Sequence, residues 1–368
     1  MTAAANDNSN VPQKNRGRVP AWARSWFFPY AWLVFVPLAL IFDRAHSNPV
    51  LIFTIAVLGI IPVARLLAQS TEELSLRTST VAGSLLNATF GNAIEFMIAI
   101  FAIRAGLIEL VKASLIGSIV LNILLLIGLS MIFGGVKYRD QKFNRDSVGV
   151  ASTMLLIAVA GLSLPTIYSA LTGKSPIIMS QAVSITLAVT YVLSLIFVLF
   201  THSHLFRAKR DVAYQATWSK TKALVVLLIF TVLAAVMSNV LVDVLRPILE
   251  TTGLSEVFVG LVVIAVLTNI PEHITAITFG LRDNITQSIE IGMNSAIQIA
   301  LFVAPILVFV APVVGGQMNL AFAPFQMAAM FLTVMIINYL GSDGICNWLE
   351  GVQLVAVYVI IAIAFYFS

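Results

Sequence analysis

Charge is what this chain lacks most. Only 10% of its 368 residues are Asp, Glu, Lys or Arg, against about 25% in soluble domains. So few charges cannot cover a water-facing surface, which excludes an ordinary soluble domain. Cysteine is nearly absent. The single Cys346 excludes an internal disulfide and any thiolate cluster for zinc or iron–sulfur. Four histidines leave little for soft-metal chemistry. The ten-residue alternation of a β-barrel is missing as well. The net charge of +4 does not mark a nucleic-acid partner, because the basic residues sit in short loops.

What the chain has instead is apolar length. Its hydrophobic fraction is 59% and its mean hydropathy +0.97. Runs of about 20 residues, enough to cross a bilayer core, recur from residue 30 to the C-terminus. The sequence predicts an all-α polytopic membrane protein of eleven transmembrane helices. They lie near 30–45, 49–69, 80–104, 110–133, 147–170, 177–200, 222–245, 255–281, 285–312, 320–341 and 347–367. Residues 1–29 read as a cytoplasmic tail with an interfacial anchor at Trp22 and Trp26, and not as a cleaved signal. With the N-terminus cytoplasmic, 16 of the 21 Lys and Arg fall on that side, as the positive-inside rule requires. The C-terminus is then on the opposite side. In a bacterium the membrane is the inner one.

The chain resembles itself at a shift of 177 residues. Gly83 meets Gly260, Asn92 meets Asn269, Glu95 meets Glu272, Ala99 meets Ala276 and Ser118 meets Ser295. An odd number of spans between the copies inverts one relative to the other. Inverted repeats are a signature of secondary transporters, with the site at the repeat interface. The predicted layout is a leader helix (30–47), a first five-helix repeat (48–200), a cytoplasmic linker (201–221) and a second five-helix repeat (222–368).

Two glutamates inside apolar spans carry the chemistry, since intramembrane carboxylates are costly and functional by default. Asn92 and Glu95 share a helix face, as do Asn269 and Glu272. Gly91 and Pro271 weaken the helix beside them. Loosened turns free backbone oxygens, so Gly91 and Thr268, each preceding its asparagine, join the candidate ligands. Ser118 with Asn122, and Ser295 with Gln298, add oxygens from the following spans. Hard oxygen donors suit Ca²⁺. Two carboxylates neutralise one divalent ion, and without it they take up protons, so metal and protons compete. His273, beside Glu272, reads as a supporting group in proton coupling. No cofactor is called for; Ca²⁺ is the transported substrate, H⁺ and lipid are the other partners, and a homo-oligomer is left open.

The stretch Ser70–Glu95, STEELSLRTSTVAGSLLNATFGNAIE, closely resembles the first signature of the calcium/proton exchanger family, within the calcium/cation antiporter superfamily. NSAIQIALFVAPILV (Asn294–Val308), QKFN (Gln141–Asn144) and DGICNWLEG (Asp343–Gly351) are similar to further family segments. The resemblance implies eleven helices, alternating access, and Glu95 and Glu272 as the groups that bind the cation and exchange protons. It also implies that Glu72 and Glu73 collect cations at the cytoplasmic mouth. Three places depart from the family pattern. VLTNIPEH (Val266–His273) has Thr268 and Pro271 where small residues are usual, Ser238-Asn239 replaces a Ser-Glu pair, and the linker THSHLFRAKR (Thr201–Arg210) is basic.

Rival readings remain. A sodium/calcium or broader cation exchanger would need further ion sites in the same cavity. An intramembrane metalloprotease would use EELSLR (Glu72–Arg77) with the F-x-x-x-H of Phe200 and His204, but its H-x-x-x-N element is missing. A channel would need a continuous pore.

Overall fold

The computed structural model describes residues 29–202 and 216–367. The predicted tail with Trp22 and Trp26, and the middle of the linker with His204, lie outside the described residues. A single helical turn, Pro29–Trp32, leads into α1 (Phe35–Arg44) and α2 (Pro49–Ser75). The predicted third span is two helices, α3 (Thr80–Phe90) and α4 (Ala93–Arg104). Then follow α5 (Ile108–Tyr138), α6 (Arg145–Thr172), α7 (Ile177–Thr201) and α8 (Lys220–Thr252). The predicted eighth span is again divided, into α9 (Glu256–Thr268) and α10 (Ile270–Gly280). The chain ends with α11 (Ile285–Val310), α12 (Pro324–Leu340) and α13 (Trp348–Tyr366).

Seven of these helices are long and apolar enough to cross a bilayer, or nine if each bent pair is one crossing. Helix α1 and the 17-residue α12 are shorter. The helix ends follow capping chemistry. Asn48, Asn144, Ser219 and Asn347 accept from the first backbone amides of α2, α6, α8 and α13. Gly173 and Gly253 close α6 and α8 at positive φ, which glycine adopts without a steric cost.

Burial ranks the helices. Within its most apolar window α5 is 83% buried and α7 only 17%. An all-round apolar helix such as α5 belongs in the centre. It can be approached closely because of two glycines. A side chain on Gly117 of α5 would strike the backbone of Leu261 in α9, and one on Gly260 would strike the backbone of Leu110. Small residues at such crossings let backbones meet, the main means of packing helices in lipid. The long α2 and α8 lie against each other, with Gly59 under the Met237 methyl.

The two segments QKFN and DGICN, some 200 residues apart, meet as a two-stranded antiparallel ribbon. Strand β1 (Asp140–Lys142) pairs with β2 (Ile345–Asn347), Gln141 opposite Cys346. The buried Gln141 donates to the Gly280 carbonyl (3.2 Å) and to Asp283 (3.3 Å). The ribbon thereby clips the ends of α5, α10 and α13 together.

Cys346 sits inside this clip. Burial, with the charges of Glu350, Asp343 and Asp140, pushes its thiol up to about 12. Only the thiolate is nucleophilic, so maleimide at about pH 7.5 should leave Cys346 unlabelled in the folded protein and modify it after unfolding in SDS. Rapid labelling of the folded protein would contradict the buried clip.

Candidate cation site

Both bent pairs break at an asparagine. Between α3 and α4 the chain turns by 45°, with Gly91 ending α3 and Asn92 preceding α4. The glycine is needed there, because a Cβ would strike the Asn87 carbonyl. Between α9 and α10 the bend is 59° and is centred on Asn269. Pro271 lies directly after this break, where the helix is interrupted beside the polar pair as expected. It occupies the first turn of α10, where its missing N–H costs nothing.

Each break places a glutamate in the first turn of the helix that follows, Glu95 in α4 and Glu272 in α10. The helix dipole there favours negative charge. The two carboxylates are close enough to repel one another, and Glu95 lies within hydrogen-bonding reach of Thr268. The Oε2 of Glu272 is buried with no hydrogen-bond partner.

Amide and hydroxyl groups from both halves of the chain close around this pair. Asn92 Nδ2 donates to Gln298 Oε1 at 2.6 Å. Asn122 Nδ2 donates to Asn269 Oδ1 at 2.8 Å and to Ser295 Oγ at 2.9 Å. Asn269 Nδ2 donates to Ser118 Oγ (3.1 Å), to Thr268 Oγ1 (3.1 Å) and to the Ala265 carbonyl (2.9 Å). Every amide and hydroxyl residue expected from the sequence is in this network. Gly91 shapes the break beside Asn92 and forms no bond within the network. The geometry adds that these groups bond one another across the halves. Asn122 Oδ1, like Glu272 Oε2, is buried and unpartnered.

His273 turns back on its own helix. Its Nδ1 lies 2.8 Å from the Asn269 carbonyl, an acceptor only, so the proton is on Nδ1. In the neutral ring Nε2 is then an acceptor, and it is buried without a partner.

Two π-helical stretches flank the network, Leu121–Leu126 in α5 and Ile299–Val303 in α11. Such widened turns recur at functional sites, and Asn122 lies in the first. Local periodicity gives no warning of them. Nor does it reveal Tyr191 of α7, whose buried hydroxyl lies within reach of Gln298 and whose ring lies 5.5 Å from Phe302.

Glu72 and Glu73 stand apart from this site and from each other. Glu72 is exposed. Glu73 is fully buried and accepts from Thr217 Oγ1 (2.6 Å), Thr217 N (3.2 Å) and Trp218 N (3.0 Å). Arg77 donates to the nearby Ala216 carbonyl. Glu73 therefore fastens the end of α2 to the approach to α8, and its oxygens are committed to that task. Among the described residues no three His, Cys, Asp or Glu side chains gather into a metal cluster.

The Asn92–Gln298 bond joins the two halves of the chain, so it should register in a double-mutant cycle. Replacing both residues by alanine should show a coupling of about 0.5–2 kcal/mol in detergent unfolding, the range of interhelical hydrogen bonds in membranes. Strictly additive effects would contradict the bond.

Residues 48–200 and 222–367 match the model of the family described as sodium/calcium exchanger protein. The chain is 36% identical over 358 residues to a Ca²⁺/H⁺ antiporter of Aphanothece halophytica, covering 92% of this chain and 96% of the relative. It is 36% identical to the Ca²⁺/H⁺ antiporter ChaA of Bacillus subtilis, covering 90% and 96%. A solved structure of native YfkE superposes with a TM-score of 0.81 at 33% identity, covering 93% of this chain and all of that one. The chain belongs to the sodium/calcium exchanger family, on its calcium/proton exchanger branch.

Proposed function

We propose that the protein is a secondary transporter, not an enzyme, that exchanges cytoplasmic Ca²⁺ for protons by alternating access. The single observation that carries this reading is the approach of Glu95 and Glu272, two carboxylates from opposite halves, amid amide and hydroxyl oxygens only. Ca²⁺ accepts six to eight such oxygens in flexible geometry. The unpartnered Glu272 Oε2 and Asn122 Oδ1 are buried acceptors without donors, which is costly unless a cation or a proton visits them. The relatives named as Ca²⁺/H⁺ antiporters support the choice of ions.

In this reading the bent pairs α3–α4 and α9–α10 each make one crossing, and α1 and α12 also cross, which gives eleven spans. A leader helix then precedes two inverted five-helix repeats, 48–200 and 222–368. The tail and the linker are cytoplasmic and the C-terminus is opposite. The ligands are Glu95, Glu272, Asn92, Asn269, Ser118, Asn122, Ser295 and Gln298, with backbone or hydroxyl oxygen from Gly91 and Thr268. His273 supports proton coupling by holding the Asn269 turn. Glu72, the exposed acid of its pair, attracts cations at the cytoplasmic mouth.

The cycle follows from charge. A membrane potential contributes about 2.3 kcal/mol per charge per 100 mV, so expelling Ca²⁺ against an interior-negative potential costs about twice that. Two carboxylates cannot both stay charged and empty in an apolar site. The protein therefore reorients either with Ca²⁺ bound or with protons bound, and exchange is obligatory. Protons arriving from the far side displace the ion and supply the driving force.

Glu95→Gln and Glu272→Gln should each abolish ΔpH-driven ⁴⁵Ca²⁺ uptake into vesicles while the protein still elutes as a folded species. Near-normal uptake by either variant would sink the cycle. Uptake driven by a Na⁺ gradient without proton flux would favour the sodium/calcium reading instead.

A further inference from the structure

A third carboxylate, Glu290, lies within a membrane-length helix and is not used by the cycle above. It belongs to α11, five residues beyond Ile285. At 1.5 Å per residue that is about 7.5 Å into the helix. The hairpin of α10 and α11 is pinned by Ser288 Oγ donating to the Ala276 carbonyl at 2.6 Å. In this antiparallel pair Glu290 lies about one turn or less short of the level of Glu272, nearer the loop between α10 and α11. That loop is cytoplasmic in the proposed topology.

The side chain is half spent. Glu290 reaches Ser147 in the first turn of α6, while its Oε1 is buried with no hydrogen-bond partner. Helices α5, α6 and α10 and strand β1 pack against the first part of α11, Ile285–Gln298, which carries Glu290. Their charged or titratable groups are Glu109, Lys112, Lys137 and Tyr138 of α5, Arg145, Asp146 and Tyr168 of α6, Glu272 and His273 of α10, and Asp140 and Lys142 of β1. Among the described residues none of them forms an ion pair with Glu290. A carboxylate placed deep in a span without a cationic partner is costly, and structure alone does not require it, since an apolar side chain would pack there without the cost.

A polar line leads from Glu290 to the central pair. Glu290, Asn294 and Gln298 follow at intervals of four on one face of α11. Asn294 is exposed in mid-helix. An amide facing hydrocarbon would lose its hydrogen bonds, which places this stripe along a hydrated crevice. Gln298 ends the line at Asn92, three residues from Glu95. At the same end of α6 an open cavity of about 710 Å³ is lined by Arg145, Asp146, Gly149, Ser152, Asn338 and Ser342.

We propose that Glu290 is a proton-binding station between the central pair and the cytoplasm. A proton displaced from Glu95 or Glu272 by Ca²⁺ passes along water beside Gln298 and Asn294 to the carboxylate of Glu290, and leaves from there to the cytoplasmic solution. Glu290 holds no Ca²⁺, because one carboxylate and one hydroxyl fall far short of its coordination. The inference rests on the Ca²⁺/H⁺ reading above.

The test compares two rates in proteoliposomes, ⁴⁵Ca²⁺/H⁺ exchange and ⁴⁵Ca²⁺/⁴⁰Ca²⁺ self-exchange at equal pH on both sides. Self-exchange moves the ion through the same site without net proton transfer. Glu290→Gln should slow the proton-coupled rate about tenfold or more, as expected for loss of a positioned proton acceptor, and leave self-exchange near wild type. Glu290→Asp should restore part of the proton-coupled rate; it carries the test alone if the glutamine variant does not fold, by slowing only the coupled rate. An unchanged coupled rate, or an equal fall in both rates without rescue by aspartate, overturns the proposal. Absence of proton-coupled exchange in the wild type overturns the parent reading instead.

Discussion

Two helices are interrupted where a membrane protein can least tolerate it, and the hydrogen bonds that satisfy those interruptions hold the molecule together. Lipid offers no partners to polar groups. Asn92 and Asn269, one at each break, are satisfied by Gln298 and by Ser118 and Asn122. Each partner comes from a helix beyond the break's own hairpin or from the other half of the chain. The Asn122–Asn269 bond links α5 to the α9–α10 break directly. These bonds hold the two breaks beside each other, and two glutamates are brought within reach as a result.

That arrangement explains why the site can be both stable and unfinished. The amide nitrogens of Asn92, Asn122 and Asn269 donate within the protein, while Glu272 Oε2 and Asn122 Oδ1 remain without donors. Buried acceptor oxygens left open in this way suit a cation. The close backbone contacts at Gly117 and Gly260 supply the rigidity that such a site requires, because a ligand set loose by 1 Å loses selectivity.

Much of this was legible in the sequence. Each predicted span coincides with helical residues, because runs of about 20 apolar residues have few alternatives in lipid. The central pair was legible because carboxylates are rare inside such runs, and the repeat drew attention to its matched partners. Other features were hidden for physical reasons. The ribbon between Gln141 and Cys346 is a pairing of residues about 200 apart, which local periodicity does not record. The π-helical turns change register without changing composition. Glu73 reads as a mouth acid, yet Thr217 and Trp218 claim it, a contact that depends on how α8 approaches α2. Glu290 stands opposite Ala113 at the 177-residue shift, so self-similarity does not point to it, although its location in an apolar helix is itself a signal.

The central claim is competition: metal and protons occupy the same oxygens in turn. The most direct measurement is proton release when Ca²⁺ is added to the purified protein in weakly buffered detergent solution. Metal binding to protonated ligands must release protons. The account predicts release that rises in proportion to bound ⁴⁵Ca²⁺ and disappears when Glu95 and Glu272 are both replaced by glutamine. Saturable Ca²⁺ binding with no proton release would contradict it.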